Sequence, residues 1–513
     1  AGENGRLPVA SRGQAWNNDK RLFLPPESVG RHGVEVRNRG SGSLRGHLGG
    51  AGMTGILARS VAGLLGRPGR LRALAVLGLA ALYPAAGAIG SPVFEGVASC
   101  AGSTCHGRAE GNGAVVRQDE IATWQEPSSP SGAHSRAYAV LGGRRGQQIA
   151  ASLGLGDAQS APACLGCHAT TAPAGQRGAK FTLTDGVGCE SCHGASGGTW
   201  LAEHYALPAT HSSNVAAGLV PLDTPKVRAG VCLDCHYGSA KPGQFVTHAM
   251  MAAGHPRISF ELDLFSALQQ HHNIDGDYVQ RKGAPDSVRF WAVGQAEAVR
   301  RSTSLFAQPR FAYEGAFPQF YFLDCHSCHR TITDGPQRKL TFETNPGRPI
   351  PFGNPPFNDE NMIMLSAVAG ALVPSEAGRF QAAARDFHKA MGAGPAETRA
   401  AAEALSARAG ALSEALGART LGDADAFRVI AIIAGEATAP RFTDYAGSVQ
   451  AVMAIDTLLN ALVREGRITQ GAAAGIRGDI ARAYKAVEEP NAYRPAAFRA
   501  ALKSAAGAIG RLQ

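Results

Sequence analysis

The sequence predicts a mainly α-helical protein with much irregular loop, in two regions that build their interiors differently. Its ten cysteines form five pairs, and the second cysteine of every pair is followed at once by a histidine. These pairs lie in a stretch rich in Gly, Pro and His with little sustained apolar period, which favours short helices joined by loops. Beyond residue 360 the chain has no cysteine and becomes Ala-rich with helical periodicity.

The cysteine pairs predict covalently attached haem. Four pairs read CxxCH and the first reads CxxxxCH. In such motifs each thiol forms a thioether to a haem vinyl group, and the adjoining imidazole becomes the proximal iron ligand. Zinc ribbons, redox dithiols and disulfides would leave the residue after the second cysteine free to vary. We therefore expect five haem c groups, held by Cys100, Cys105 and His106; Cys164, Cys167 and His168; Cys189, Cys192 and His193; Cys232, Cys235 and His236; and Cys325, Cys328 and His329.

The first motif is the least regular of the five. Its two extra residues must bulge out between the thioethers. A site with one thioether, or a disulfide beside an unrelated His106, is the alternative. Its place at the head of four regular motifs favours haem.

The second axial ligand of each iron decides between a carrier of electrons and an enzyme. Two histidine ligands suit electron transfer, whereas an open face can bind a small molecule. We expect the distal ligands among the histidines of loop-like stretches, which are His134, His204, His248, His255 and His271. His272 competes directly with His271, and His326 could reach a neighbouring haem from inside the fifth motif. His211 and His388 fit surface or packed positions better.

The N-terminal segments predict export. Residues 53–88 begin at the first methionine and carry several arginines before an apolar run at Ala73–Tyr83. They end in small residues at Ala88. This is the pattern of a secretory signal peptide. A retained membrane anchor is the alternative, but 11 uninterrupted apolar residues are short against the roughly 20 that span a bilayer. Residues 1–52 lack hydrophobic periodicity, and we expect them to be a non-native upstream extension.

Export agrees with the cysteine chemistry, because c-type haems are attached outside the cytoplasmic membrane. We therefore expect a periplasmic protein, with association at the outer surface as an alternative. The formal charge of +9 is no argument for nucleic acid, since residues 1–88 hold twelve Lys or Arg and four Asp or Glu, a net of +8 that leaves +1 for the rest. We find no basic stripe with interleaved aromatic residues, and expect no nucleic-acid partner and no retained transmembrane helix.

After residue 88 we expect a pentahaem cytochrome c domain (89–345), a Pro/Gly-rich linker (346–359) and an Ala-rich helical domain (360–513). About 50 residues for each haem imply that porphyrin forms much of the interior of the first domain. In the second domain, a helix should start near Ala396 behind Pro395. Apolar stripes mark two further helices, Phe380, Ala384, Phe387 and Met391 in one and Val452, Ile455, Leu459 and Leu462 in the other. We expect a bundle of four to six helices that acts as a structural cap or as a docking or dimerisation module.

Several strings support a resemblance to a known family. GVGCESCHG followed by His204, SCAGSTCHG at the first motif and THAMMAAGHPRISFEL after the fourth are similar to the multihaem cytochromes related to the tetrahaem electron acceptor of hydroxylamine oxidoreductase. The resemblance covers residues 99–330 and implies that His134 and His204 are distal ligands. Because His168 belongs to the second motif in the chain, the resemblance also implies that its haem lacks a distal ligand from the protein. The fifth motif, the CxxxxCH opening and the long tail depart from that pattern.

We predict a pentahaem c-type cytochrome that transfers electrons between redox proteins, such as donor and acceptor cytochromes or membrane oxidoreductases. Electron transfer needs no acid, base or nucleophile, so no catalytic residue is predicted. The alternative is a multihaem oxidoreductase that acts on nitrite, hydroxylamine or nitric oxide at a five-coordinate haem, although no motif has the CxxCK form typical of nitrite reductases. A filament subunit is a third interpretation, and a homo-oligomer remains an open alternative.

Overall fold

The computed structural model describes residues 91–110, 118–206, 208–257, 259–312, 319–329, 348–350, 354–439 and 445–513. Within these ranges the protein is mainly helical, as predicted, and β-pairing is limited to isolated bridges. The expected upstream extension (1–52) and signal peptide (53–88) lie outside the described residues.

The region that carries the motifs is built mostly from short helices joined by loops and 3₁₀ turns. In chain order its helices are α1 (Val97–Cys100), α2 (Glu120–Trp124), α3 (Arg144–Ser152), α4 (Pro162–His168), α5 (Cys189–His193), α6 (Leu201–Tyr205), α7 (His211–Ala216), α8 (Pro225–His236), α9 (His248–Ala252), α10 (Leu262–Leu268), α11 (Gly276–Lys282), α12 (Ser287–Phe306) and α13 (Pro309–Ala312). Three motifs are themselves helical, because α4 and α8 end on their histidines and α5 is the third motif. The fifth motif contains a 3₁₀ turn, Cys325–Ser327.

The long helix α12 was not anticipated from the sequence of this region. It has 20 residues and is buried along most of its length. The buried side chains include polar ones, so no continuous apolar stripe marks the helix in the sequence. Gln295 accepts a hydrogen bond from Asn361 Nδ2 (2.8 Å), and Glu297 pairs with Arg300 (2.6 Å). Because these polar groups have partners, they are tolerated in the interior.

The helices after residue 354 are longer and closely packed. They are α14 (Glu360–Leu372), α15 (Pro374–Ala390), α16 (Pro395–Gly417), α17 (Asp423–Ala437), α18 (Tyr445–Arg464), α19 (Gln470–Ala486) and α20 (Pro495–Gly510). Seven helices in the described part of this region exceed the four to six expected. The predicted start is confirmed, since α16 begins with Pro395 in its first turn. Both predicted stripes are buried.

The two regions share one packed core. The helix α12 packs along α16, and Phe306 at its end meets Phe357 and Phe387 with ring centroids 5.4 and 5.6 Å away. All three aromatic rings are buried. The predicted domain boundary at 346–359 therefore falls between segments that contribute to the same hydrophobic cluster. The boundary itself stays a prediction.

One helix of the described chain, α18, is long and apolar enough to cross a membrane. Its most apolar window is 83% buried inside the protein. Such burial is typical of a central helix in a packed core, which is also where the hydrophobic cluster places Val452 and Ile455.

Candidate haem-binding sites

Each predicted proximal histidine lies opposite a second histidine from a distant part of the chain. We number the sites by motif: site 1 ends on His106, site 2 on His168, site 3 on His193, site 4 on His236 and site 5 on His329. The ring centroids are 5.9 Å apart for His106 and His204, 6.3 Å for His168 and His255, 6.3 Å for His193 and His271, 6.1 Å for His236 and His134, and 6.4 Å for His329 and His248. All five expected distal histidines thus lie beside a proximal one.

These distances fit one iron between the two rings of each pair. A metal–imidazole bond is about 2 Å long, so two imidazoles on opposite sides of one metal have centroids roughly 6 Å apart. Direct stacking of two histidines would bring parallel rings closer, and four of the five pairs are tilted by 38° or more. The residues present therefore fit covalently attached haem with two histidine ligands.

The hydrogen bonds of several ring nitrogens leave the other nitrogen available for a metal. Nδ1 faces a backbone carbonyl in three histidines: His168 with Ala137 (2.9 Å), His255 with Pro256 (2.8 Å) and His271 with Gln269 (2.9 Å). A carbonyl only accepts, so Nδ1 must carry the proton and donate it. This tautomer leaves the Nε2 lone pair free to bind iron, as in many metal sites.

Burial keeps most of these imidazoles neutral, which is the form that binds a metal. It lowers the pKa of His134 to about 4, of His236 to about 3 and of His271 to about 4. Burial also lowers the pKa of His168 and His255. These five rings are therefore uncharged near neutral pH.

The irregular first motif closes as a compact turn. The Cys105 amide donates to Gly102 O (2.8 Å) and the His106 amide to Cys100 O (3.1 Å). These bonds draw the two thiols and the histidine of the CxxxxCH motif onto one loop. Gly107 makes the turn possible, because a Cβ there would overlap the Ala101 carbonyl oxygen.

Among the described residues, the proximal histidine of site 1 is the one that contacts a carboxylate. Glu120 Oε2 lies 3.0 Å from His106 Nδ1, and Glu120 Oε1 lies 3.5 Å from His272 Nδ1. Burial opposes ionisation of Glu120, but hydrogen bonds from the two histidines outweigh it and hold its pKa well below the usual range. The hydrogen bond with Glu120 in turn raises the pKa of His106.

Site 3 has two histidines at similar distance. The ring of His272 is 6.1 Å from His193, against 6.3 Å for His271, and one ligand atom from each of the three lies within 4.8 Å of the others. His272 is the more exposed of the two candidates. His271 and His272 therefore remain two candidates for the distal ligand of site 3, as in the sequence.

Site 5 is held by residues from both regions. Arg257 Nη1 is 3.1 Å from Cys325 Sγ, and its Nη2 is 3.4 Å from Glu360 Oε1. His326, inside the motif, faces Pro490 O through Nδ1 at 3.0 Å. His326 thus contacts the C-terminal helical region, whereas the sequence raised it as a ligand to a neighbouring haem.

Contacts join attachment sites that are not consecutive in the sequence. Glu120 contacts both His106 and His272, which joins sites 1 and 3. The amide of Val187, two residues before Cys189, donates to His134 O at 3.0 Å, which brings the motif of site 3 next to the distal histidine of site 4.

Further contacts join sites 2, 4 and 5. Cys235 Sγ donates to Gly166 O (3.8 Å), which joins sites 4 and 2. The Tyr321 hydroxyl donates to the carbonyl of Tyr237, the residue after His236, which brings the segment before the fifth motif against site 4.

Two of the other histidines have local partners. His211 Nε2 lies 3.2 Å from Asp223 on the surface. His388 is buried, and its Nε2 lies 3.0 Å from Asp359, which also pairs with Arg348. Both are explained by these contacts without a haem.

Residues 99–194 match the family model of cytochrome c554 and c-prime. No curated protein and no solved structure matches the chain. The matched segment contains sites 1, 2 and 3. The similarity supports a multihaem c-type cytochrome with covalently bound haem c and a role in electron transfer, with other redox proteins as partners. The narrower relationship to the electron acceptor of hydroxylamine oxidoreductase stays a prediction.

Proposed function

We propose that the chain is a periplasmic pentahaem c-type cytochrome that carries electrons between redox proteins. The observation that carries this proposal is the set of five histidine pairs, one at each cysteine motif, with ring centroids 5.9 to 6.4 Å apart. When bound, each haem supplies an iron that gains or loses a single electron.

The residues of the chain would do three things for these haems. The cysteines would fix each macrocycle, the two histidines of each pair would bind the iron, and the surrounding residues would exclude water and set the local charge. None of these tasks needs a general acid or a nucleophile. The lack of any such requirement is consistent with a carrier of electrons.

The contacts between neighbouring sites support the passage of electrons from one haem to the next. Donor and acceptor cytochromes or membrane oxidoreductases are suitable partners, and their contacts with such a carrier are commonly small and transient.

The alternative, an oxidoreductase acting on nitrite, hydroxylamine or nitric oxide, has less support. That activity needs an iron with an open face. The resemblance in sequence implied such a face at site 2, yet His255 lies 6.3 Å from His168 there. No observation singles out another site as five-coordinate among the described residues.

The periplasmic location rests on the signal-like segment 53–88 and on the need to attach c-type haem outside the cytoplasm. Fractionation of the native host, with a haem stain on the separated fractions, tests it. Haem-staining protein in the cytoplasmic fraction would contradict this part of the proposal.

The central experiment is electron paramagnetic resonance of the ferric protein, expressed with a c-type maturation system, followed by nitric oxide titration of the reduced form. We expect five haems for each chain by haemochrome assay and protein mass, all low-spin and inert to nitric oxide. A stoichiometric high-spin iron that binds nitric oxide would favour the enzyme. Polymers that form with increasing concentration in sedimentation runs would favour the filament subunit.

A further inference from the structure

Glu120 connects two of the candidate haem sites through one side chain. It is only 7% exposed and begins the helix α2. Its Oε2 accepts from His106 Nδ1 at 3.0 Å, and its Oε1 lies 3.5 Å from His272 Nδ1. One buried carboxylate therefore contacts the proximal histidine of site 1 and one of the two rings that face His193 at site 3.

The backbone fastens Glu120 to the attachment loop of site 1. The Ile121 amide donates to His106 O at 3.1 Å, and the Arg108 amide donates to Gln118 O at 2.8 Å. The Gln118 side chain adds a bond to Thr104 O at 3.3 Å. The carboxylate therefore has a fixed position relative to His106.

A carboxylate on the outer nitrogen of a ligating histidine changes the metal. It fixes the tautomer and makes the ring a stronger electron donor, and its negative charge stabilises the ferric state over the ferrous state. His168, by contrast, faces the neutral carbonyl of Ala137. Among the hydrogen bonds of the described residues, no other proximal histidine has a carboxylate at Nδ1.

The second oxygen of Glu120 contacts one of the two rings that face His193. Its Oε1 lies 3.5 Å from His272 Nδ1, whereas the Nδ1 of His271 faces the carbonyl of Gln269. Both contacts leave Nε2 free, so they do not decide between the two rings. They show that the carboxylate of site 1 also borders site 3.

We propose that Glu120 is a positioning residue that lowers the reduction potential at site 1. This rests on the proposed function, because it presupposes iron at that site.

The test compares Glu120→Gln with Glu120→Asp. Glu126→Gln is the matched control, because Glu126 is an exposed carboxylate that accepts a hydrogen bond from Ser128. Potentiometric titration followed by paramagnetic resonance reports each haem separately. In Glu120→Gln we expect one haem to become easier to reduce, with its equilibrium changed about tenfold, or about 59 mV for one electron. Glu120→Asp should restore part of the shift, and Glu126→Gln should change nothing.

The outcomes separate this inference from the proposed function. A wild-type protein with fewer than five haems would overturn the proposed function. Five haems with no potential altered in Glu120→Gln would overturn only the role of Glu120 in tuning. If Glu120→Gln loses the haem of site 1, Glu120→Asp becomes the variant that tests the tuning role. An unchanged reduction potential in Glu120→Asp would overturn that role, and an upward shift would support it.

Discussion

His326 donates a hydrogen bond from Nδ1 to the backbone carbonyl of Pro490, 3.0 Å away and 164 residues further along the chain. Its ring also lies against Tyr493 and Tyr445, with centroids 5.3 and 6.1 Å apart. Because His326 sits between the two cysteines of the fifth motif, the C-terminal helices hold the attachment loop of site 5. This contact favours a structural cap over a docking module as the role of those helices.

Replacing His326 should loosen site 5 without removing its haem. We expect His326→Ala to lower the free energy of unfolding by about 1 kcal/mol, since a partly buried carbonyl loses its donor. His326→Asn, which keeps a donor, should lose less. Thermal unfolding followed by haem absorbance checks this, and equal stability of both variants and the wild type would contradict it.

Removal of a distal histidine should open one iron. His255→Ala takes away the ring that faces His168 at site 2, so we expect one of five haems to become high-spin and to bind nitric oxide when reduced. His211→Ala is the control, because His211 pairs with Asp223 on the surface. A fully low-spin His255→Ala protein would show that site 2 takes its ligand from elsewhere.

The compact turn of the first motif should depend on Gly107. A Cβ there would overlap the Ala101 carbonyl oxygen, so Gly107→Ala should prevent the turn that gathers Cys100, Cys105 and His106. We expect the haem content measured by mass spectrometry to fall from five to four. Gly175→Ala, where a Cβ meets nothing within 4 Å, is the control. Five haems in Gly107→Ala would refute this account of the turn.

Stability should fall as the pH rises, in part because of Glu261. This carboxyl group is buried and accepts from Asp263 N, Leu264 N and Thr457 Oγ1. Burial, and then the neighbouring Asp263, raise its pKa from 4.5 to about 8. Between these values the folded state binds more protons than the unfolded state, so the free energy of unfolding decreases with rising pH by up to about 1.4 kcal/mol per pH unit.

Glu261→Gln should therefore flatten the dependence of the melting temperature on pH between 5 and 8. The variant should gain most over the wild type at the upper end of this range. Glu403→Gln, on the exposed face of α16, is the control and should keep the wild-type slope. An unaltered slope in Glu261→Gln would mean that other groups cause the pH dependence.

The sequence predicted the local chemistry of the sites better than their arrangement. A CxxCH motif places its two thiols and one imidazole within a few residues, so spacing alone identifies it. Which sites are neighbours in space depends on contacts such as that of Cys235 with Gly166, which join distant segments and produce no periodic pattern in the sequence. We predicted the distal histidines from their loop-like surroundings and from the resemblance to a family. Only the structure shows which motif each of them faces.

In the helical part, too, the sequence predicted some elements and missed another. Periodic apolar residues such as Phe387 and Val452 marked α15 and α18, and Pro395 marked the start of α16. The helix α12 escaped notice because the polar residues Gln295 and Glu297 are buried within it. Gln295 is bonded to Asn361 of α14, and Glu297 pairs with Arg300 of the same helix. Sequence periodicity detects burial against apolar neighbours, and it fails where the interior is polar.

The histidine pairs also constrain how the protein is made. In every pair the two members lie roughly 80 to 100 residues apart in the chain. At sites 4 and 5 the opposite histidine precedes the motif, whereas at sites 1, 2 and 3 it follows the motif and is exported later. Newly loaded chains would thus pass through a stage in which the irons of the first three sites have one histidine, and rapid collapse or chaperones would protect them until the later segment is in place.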